Sequence, residues 1–242
     1  SPRTRCTNDR TMKKAANDFQ TLHQIVKTAR ENLDDDAWDY VMGGADTETT
    51  VKRNRLALDK LAFRPRVLRD VSENDISAEL FGSPLRIPVL LAPIGSMQDL
   101  HPEAGAESAR GAAEFGTISI LSSVCHPGLE KVAAAAPGET RIFQLYVRGD
   151  DAWVDDHVHR AVDNGYTAFC LTVDLDMYGR RERDIAKGFM STARKAVAKN
   201  EIFQERLDWD HVKRFKDTHG IPLIIKGIAT AEDAARAVAL GV

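Results

Sequence analysis

Hydrophobic positions follow a helical period from Phe19 to about Leu61. One helical face is predicted by the spacing of Phe19, Leu22, Val26, Ala29 and Leu33. The acidic triplet at 34–36 favours the first turn of a second helix, which carries A-W-D-Y-V-M and stops at Gly43 and Gly44. A third helix is predicted from about Thr47 to Leu61, and residues 75–88 predict two short strands around a Gly-Ser-Pro turn.

From Val89 onward the pattern changes to strands that alternate with helices. Strands are predicted at 89–93, 117–121, 141–147, from 169 to Asp174, and at 222–228. Helices are predicted at 102–116, 128–136, 150–164, 209–216 and from the Thr230 cap to Gly241, with a long loop before residue 209. This alternation predicts a parallel sheet with crossover helices.

Chain length leaves two architectures open for this α/β segment. A (β/α)8 barrel takes about 200–250 residues, so residues 89–242 accommodate only about five βα units. The segment is either an open doubly wound sheet or an incomplete (β/α)8 TIM barrel. We predict three parts: a polar tail at 1–17, a helical cap with a short hairpin at 18–88, and the α/β segment at 89–242.

Polar residues recur where the predicted strands end. They are Ser122 and Ser123 after the second strand, Gln144 and Tyr146 on the third, Thr172 and Asp174 on the fourth, and Lys226 on the fifth. Members of each strand pair lie two residues apart and therefore share a face. Carboxyl ends of parallel strands meet at one edge of a sheet, so these groups, with Arg181 beyond them, predict a ligand site there.

Composition excludes several classes of function. The net charge is −3, with 33 basic and 36 acidic residues, which argues against nucleic-acid and membrane-surface binding. Three scattered cysteines favour a reducing compartment, and no secretory signal or membrane-spanning run is visible. We expect a soluble cytoplasmic protein. His157 and His159 point to different sides of a helix, and no metal site is predicted.

Several motifs occur in order along the chain. They are A-W-D-Y-V-M-G-G-A-D at 37–46, F-R-P-R-V-L at 63–68, A-P-I-G at 92–95, H-P-E at 101–103, F-Q-L-Y-V at 143–147, L-T-V-D with G-R-R-E-R-D at 171–184, and I-K-G-I-A-T-A-E-D-A at 225–234. With these motifs the chain resembles the FMN-dependent α-hydroxy-acid oxidases and dehydrogenases. The resemblance implies a TIM barrel, bound FMN, oxidation of an L-2-hydroxy acid to the 2-keto acid, and a homotetramer. Oxygen or another acceptor would reoxidise the flavin.

The resemblance also implies a cofactor site. Backbone at Pro93, Ile94 and Gly95 would lie against the flavin ring. The polar edge of the ring would be held by Ser122, Gln144 and Thr172, with Lys226 beside the N1–C2 carbonyl region. A fixed ammonium there stabilises the anionic reduced flavin.

Substrate binding and catalysis are assigned to four further residues by the same resemblance. Arg181 would bind the substrate carboxylate as a bidentate fork, and Tyr40 would reach the same carboxylate. Tyr146 would contact the substrate hydroxyl, and Asp174 would hold a catalytic histidine. Val124, on the pocket side, hints at room for a larger side chain than that of glycolate.

In the family that histidine follows the sixth strand, in an S-N-H-G-G-R-Q type of segment, which would lie beyond Val242. We therefore expect the 242-residue chain to be inactive and to retain FMN weakly or not at all. Loop four, at 185–206, has no apolar block for membrane docking, and Gly95 leaves oxidase, monooxygenase and dehydrogenase open. Two alternatives remain: another FMN-binding barrel, such as an isomerase or an IMP-dehydrogenase-like enzyme, and a non-catalytic partial gene product.

Overall fold

A computed structural model of the chain describes residues 19–197 and 204–242. The amino-terminal part contains three helices and an antiparallel hairpin, namely α1 (Leu22–Asn32), α2 (Asp35–Met42), α3 (Thr49–Asp59), β1 (Ala78–Leu80) and β2 (Ser83–Leu85). Thr21 caps α1 and Asp34 caps α2, each accepting a hydrogen bond from a backbone N–H of the first turn. The predicted helices and hairpin are confirmed; the predicted tail, at 1–17, lies outside the described residues.

The α/β segment is built on one parallel sheet. Its strands are β3 (Ser119–Ser122), β4 (Arg141–Leu145), β5 (Ala168–Thr172) and β6 (Leu223–Lys226), paired in chain order. The helices that connect and follow them are α4 (Ala104–Phe115), α5 (Leu129–Ala135), α6 (Asp151–Asp163), α7 (Glu182–Lys187), α8 (Thr192–Val197), α9 (Trp209–Thr218) and α10 (Ala231–Ala239). The predicted alternation is confirmed.

The prediction of a strand at 89–93 is wrong. Within it, only Leu91 pairs with the sheet, in a single parallel bridge to Ser119. Pro88 and Pro93 flank the bridge, and proline lacks the N–H that a longer ladder requires. The segment still runs beside β3, because the Leu91 N–H donates to the Ile118 carbonyl and the Ile120 N–H donates to the Leu91 carbonyl, each at 3.0 Å.

The long loop predicted before residue 209 contains the short helices α7 and α8 within the described residues. Gly188 ends α7 with a φ of +67°, a conformation that glycine adopts without strain. Sequence periodicity missed both helices because this charge-rich stretch has no apolar face. Residues 198–203 of the predicted loop lie outside the described part of the chain.

The two faces of the sheet pack differently. Side chains alternate along β4, so Ile142 and Gln144 lie on one face and Phe143 and Leu145 on the other. The outer face packs against the helices, where Phe143 and Leu145 join Val158 of α6. The amino end of the inner face packs against the hairpin in a cluster of Leu85, Ile118, Ile142, Ala168 and Cys170. Burial of both faces explains why these strands read as continuous apolar runs.

In the described ranges no helix is long and apolar enough to cross a membrane. The boundary predicted at residue 88 stays a prediction. Contacts do cross it, since α2 packs against α7 and the hairpin packs under the sheet.

Candidate active site

Three buried polar side chains form a row across the carboxyl ends of the strands. Ser122 of β3 stands opposite Gln144 of β4 in the parallel register. The Gln144 Nε2 donates to the Thr172 Oγ1 of β5 at 2.7 Å. All three residues are almost fully buried, at 2%, 1% and 0% exposure. The structure thus brings together three of the predicted cofactor residues on the inner face of the sheet.

Lys226 of β6 continues this row, opposite Thr172 in the register. Its ammonium donates to the Asp174 carboxylate at 3.3 Å, and both side chains are more than a third exposed. Gly227 has a φ of +115°, and a Cβ there would lie 2.6 Å from the Asp174 Cβ. A glycine is therefore required where the chain passes Asp174.

A cavity of about 320 Å³ opens beside this row and contains most of the predicted substrate residues. It is lined by Tyr40, Gly95, Val124, Tyr146 and Arg181, together with Ala45, Leu175, Tyr178, Gly179, Asp184, Ser191, Ala193 and Arg194. Tyr40 comes from α2 and lies 141 residues before Arg181 in the sequence. The Arg181 Cζ lies 4.8 Å from the centre of the Tyr40 ring, a cation–π contact.

Protein acceptors hold one edge of the Arg181 guanidinium. Nε donates to the Asp184 Oδ2 at 2.7 Å, and Nη2 donates to the carbonyls of Tyr40 and Gly43, the latter at 3.3 Å. Both N–H groups of Nη2 are thus used by backbone carbonyls, and a ligand carboxylate would meet Nη1, which makes no hydrogen bond to the described residues. Fixing one edge lowers the rotamer entropy lost when the other binds a ligand.

Tyr146 lines the cavity as a neutral phenol. Burial, reinforced by the nearby Asp174 carboxylate, raises the pKa of Tyr146 to about 12. The backbone N–H of Tyr146 donates to the Ser123 Oγ at 3.1 Å, which fixes the start of this loop. At neutral pH the phenol is thus an O–H donor facing the cavity.

Comparisons with known proteins locate this arrangement in a family. Residues 29–242 match the FMN-dependent dehydrogenases. The chain belongs to this family. It is 36% identical over 234 residues to glycolate oxidase 1 of Oryza sativa subsp. indica, covering 88% of this chain and 63% of that protein. It is also 36% identical over 240 residues to the peroxisomal (S)-2-hydroxy-acid oxidase GLO4 of Oryza sativa subsp. japonica, covering 91% of this chain and 65% of that protein.

Solved structures agree with the sequence matches. A mandelate oxidase gives a TM-score of 0.85 at 31% identity, covering 93% of this chain and 67% of that one. A mandelate oxidase variant with a C4a-OH-FMN adduct gives 0.80 at 32% identity, covering 90% and 65%. The predicted family, its cofactor FMN and the TIM-barrel architecture are confirmed, and the described parallel sheet is part of such a barrel. The chain spans about 63% of the glycolate oxidase it matches.

The residues present fit the cofactor of the family. The buried hydroxyl and amide groups of Ser122, Thr172 and Gln144, with the Lys226 ammonium, provide the donors and acceptors that the polar edge of a flavin requires. Gly95 lines the cavity, and a Cβ there would lie 2.7 Å from the Val124 Cγ2. A side chain at position 95 would therefore collide with Val124 at the wall of the cavity.

Pro93 and Ile94 precede Gly95 in the segment that runs beside β3. Ile94 is more than half exposed, and neither residue is among those that line the cavity. Their predicted contact with the flavin ring, like the other residue roles, stays a prediction.

Several residues around the site were missed from the sequence. Asp184 is buried and pairs with Arg181. Its position three residues after Arg181, in G-R-R-E-R-D, could have predicted this ion pair from the sequence. Gln204 joins two strand ends, because its amide accepts from the Val147 N–H at 2.9 Å and donates to the Thr172 carbonyl. Its position far along the chain gave no such signal. Tyr178 and Arg194 also line the cavity.

An ion-pair network holds α2, and with it Tyr40, against α7. The Lys187 ammonium lies 2.5 Å from the Asp39 carboxylate, and the Arg183 guanidinium lies 2.6 Å from the Glu48 carboxylate. Lys187 lowers the pKa of Asp39, and Arg183 lowers that of Glu48. The network thus positions the two elements that meet at Arg181.

Within the described residues, no histidine is hydrogen-bonded to Asp174. His219 pairs with Asp155, His211 pairs with Asp208, and the ring of His157 contacts that of Trp153 in a tilted arrangement. In the described part of the chain, the side chain that donates hydrogen bonds to the Asp174 carboxylate is Lys226. The same part of the chain contains no cluster of three or more residues suited to a metal ion.

Proposed function

We propose that the chain serves the FMN-dependent oxidation of an L-2-hydroxy acid to the 2-keto acid. The observation that carries the proposal is the cavity that joins Arg181, Tyr40 and Tyr146 beside the polar row at the strand ends. A cationic fork and two phenols are suited to a carboxylate with a neighbouring hydroxyl. Relatives named for glycolate and mandelate support the same substrate class.

Each group has a distinct task in this proposal. The free end of Arg181 binds the substrate carboxylate, and Tyr40 contacts the same group. The Tyr146 phenol, kept protonated by its raised pKa, hydrogen-bonds the substrate hydroxyl. Bound FMN supplies the acceptor for the two electrons that leave the α-carbon.

The protein groups at the strand ends would hold that cofactor. Ser122, Gln144 and Thr172 would bind its polar edge, with Pro93–Gly95 against its ring. Lys226 would place a positive charge beside it, fixed by Asp174 at 3.3 Å. Preorganised charge of this kind stabilises negative charge that develops during the reaction.

We further propose that the 242-residue chain turns over slowly or not at all. Proton removal from the hydroxyl requires a base, and Asp174 has no histidine partner among the described residues. Steady-state oxygen uptake with glycolate, lactate and mandelate tests this point. Robust turnover by the purified chain would contradict it.

The assignment of Arg181 is tested by Arg181→Lys, with Arg180→Lys as the matched control. Lysine cannot keep the Nε and Nη2 hydrogen bonds that position the guanidinium, so we expect roughly 10- to 100-fold weaker binding of L-2-hydroxy acids. Arg180 is exposed and pairs only weakly with Glu182 at 3.5 Å, so its variant should bind like the original chain. Ligand titration by calorimetry measures both. Equal affinity of the two variants would refute the assignment.

Location and assembly also belong to this proposal. We propose a cytoplasmic location, with the peroxisome as the alternative because a rice relative is named peroxisomal. We propose a homotetramer, as the family resemblance implies. Fluorescent tagging tests the location, and light scattering tests the assembly.

One observation favours a second candidate, a non-catalytic chain that binds another protein. Apolar side chains at Phe63, Val67 and Leu68 are almost entirely exposed. Exposed apolar surface of this kind marks interaction sites or aggregation-prone surfaces. A chain that binds no FMN yet forms a defined complex through this segment would favour this candidate.

A further inference from the structure

Helix α2 lies against the α/β segment with little apolar burial. Of its eight residues, all of them described, only Ala37 is buried, and Val41 and Met42 are each about half exposed. The facing helix α7 buries only a carboxylate residue, Asp184. Helices in proteins are usually held in place by the packing of an apolar face. The docking of α2 on α7 therefore depends on contacts of another kind.

Charged side chains of α7 provide these contacts. The Lys187 ammonium donates to the Asp35 carbonyl at 2.9 Å and lies 2.5 Å from the Asp39 carboxylate. The Arg183 guanidinium lies 3.4 Å from the Asp39 carboxylate and 2.6 Å from that of Glu48, which follows α2 in the chain. Two cations of one short helix thus bind α2 at its start, at its middle and just beyond its end.

The ion pairs are fully charged at neutral pH and open to solvent. A hydrogen bond from Lys187 lowers the pKa of Asp39, and the same contact raises the pKa of Lys187. A hydrogen bond from Arg183 lowers the pKa of Glu48. The four side chains are between 18% and 43% exposed, so dissolved ions reach them. Attraction between exposed charges is screened by salt, whereas apolar packing is not.

Tyr40 connects this attachment to the cavity. It follows Asp39 on α2, and its ring lines the cavity beside the Arg181 guanidinium, whose Cζ lies 4.8 Å from the ring centre. The ring centre also lies 6.0 Å from that of Phe189, just after α7. The Tyr40 carbonyl accepts a hydrogen bond from the Arg181 Nη2. Movement of α2 away from α7 would therefore separate Tyr40 from Arg181 and open the wall of the cavity.

We propose that Lys187 and Arg183 are positioning residues for substrate binding, which hold Tyr40 at the cavity through ion pairs in place of apolar packing. Neither residue is among those that line the cavity, so each acts on the substrate through α2. This inference rests on the proposed function for the acid that Tyr40 and Arg181 bind. It also makes the position of Tyr40 sensitive to salt, because the Debye length falls to about 3 Å at 1 M salt.

Hydrogen exchange of the α2 amides, measured by mass spectrometry on the 242-residue chain, tests the positioning without a ligand. Removal of both cations, by Arg183→Gln together with Lys187→Gln, should speed this exchange at least about tenfold. The conservative pair, Arg183→Lys with Lys187→Arg, keeps both charges and should retain the protection. Lys213→Gln is the control, because it breaks an equally short pair with Asp217 on α9, at 2.5 Å, and should leave α2 unchanged. Equal exchange of α2 in all these chains overturns the proposal.

Salt distinguishes ion pairs from other contacts of the same two helices. An increase from about 0.05 M to 1 M sodium chloride should speed exchange of the α2 amides in the original chain and have little effect in the glutamine pair. The same response to salt in both chains would contradict the proposal. The urea midpoint of the glutamine pair should stay close to that of the original chain, since exposed ion pairs contribute little to global stability. A large fall in that midpoint would show a structural role and not a positioning one.

Calorimetric titration with pyruvate in the presence of FMN measures the effect on the site. Pyruvate is a 2-keto acid with the same carboxylate as lactate, and it cannot reduce the flavin. We expect the glutamine pair to bind it about tenfold more weakly and the conservative pair to bind it like the original chain. A chain that binds pyruvate equally well with and without the two cations refutes this inference and leaves the proposed function intact. A chain that binds no pyruvate but shows the expected exchange supports the electrostatic attachment of α2 and contradicts the proposed function.

Discussion

The inner face of the sheet has two ends that are built from the same strands and differ in what they bury. At the amino end, Ile118 and Ile142 pack with Leu85 of the hairpin. At the carboxyl end, one or two alternating steps further along, Ser122 and Gln144 bury polar atoms equally completely. Apolar burial stabilises the fold without further conditions, whereas polar burial is favourable only where partners exist. The first end therefore serves stability, and the second is the end at which we propose that the cofactor binds.

Ile142→Ala at the amino end is expected to cause the largest loss of stability. The side chain is fully buried, so its truncation should cost about 2–5 kcal/mol in the free energy of unfolding. Ile185→Ala on α7, where the side chain is 45% exposed, is the control and should cost less than about 1 kcal/mol. Urea titration measures both. Similar losses of stability for the two variants would refute the assignment of the amino end to stability.

Gly227→Ala tests the backbone at the polar end. Its positive φ and the close Asp174 Cβ should make the change cost about 1–3 kcal/mol in the free energy of unfolding. Gly111→Ala is the control of opposite sign: it lies within α4, and a Cβ there meets nothing within 4 Å. That variant should gain about 0.5–1 kcal/mol because alanine favours a helix. Thermal unfolding of the pair would detect the difference, and equal shifts would contradict it.

Gln144→Leu should separate ligand binding from stability. The change keeps the volume similar but removes the donor to the Thr172 Oγ1 at 2.7 Å. We expect FMN affinity to fall about tenfold, with a change in unfolding free energy of only about 1 kcal/mol. Exposed Gln20→Leu is the control. Fluorescence titration with FMN gives the affinities, and unchanged FMN binding by Gln144→Leu would remove this residue from the cofactor site.

Tyr146→Phe has a smaller effect that is confined to alkaline pH. The pKa of Tyr146 in the folded chain is raised to about 12 from the ordinary value of 10, so folding favours the protonated phenol. Its contribution is complete below pH 10 and is lost as the pH rises from 10 to about 12. The original chain should lose stability more steeply over that range than the phenylalanine variant does. Parallel slopes in urea titrations would contradict the assignment.

Asp174→Asn is expected to change stability least. The pair with Lys226 is more than a third exposed on both sides, so its loss should cost less than about 1 kcal/mol. Asp217→Asn, which breaks the exposed pair with Lys213, should behave alike. A loss of several kcal/mol at Asp174 alone would show that the polar end is important for the fold as well.

Much of this comparison could be predicted from local patterns. Alternation along each strand places Gln144 and Thr172 on the inner face whatever the rest of the chain does. Caps such as Asp34 and Thr230 mark helix starts for an equally local reason, because a side chain satisfies N–H groups only two or three residues ahead. The prediction of a strand at 89–93 was wrong because a strand needs a pairing partner elsewhere in the chain. Local periodicity does not contain that partner, and the flanking prolines limit the pairing to one bridge.

The amino-acid sequence by itself determined the four paired strands and, apart from α7 and α8, the helices between them, together with the apolar and polar ends of the inner face and the family motifs. Only the tertiary structure decided which charges are compensated. Arg181 is held by carbonyls of Tyr40 and Gly43 from the distant α2 region, whereas the Nε and Nη2 atoms of Arg148 are buried with no acceptor in the described part of the chain. The two arginines cannot be told apart from the sequence. Whether their N–H groups find acceptors depends on which distant backbone and side-chain atoms the fold brings within about 3 Å.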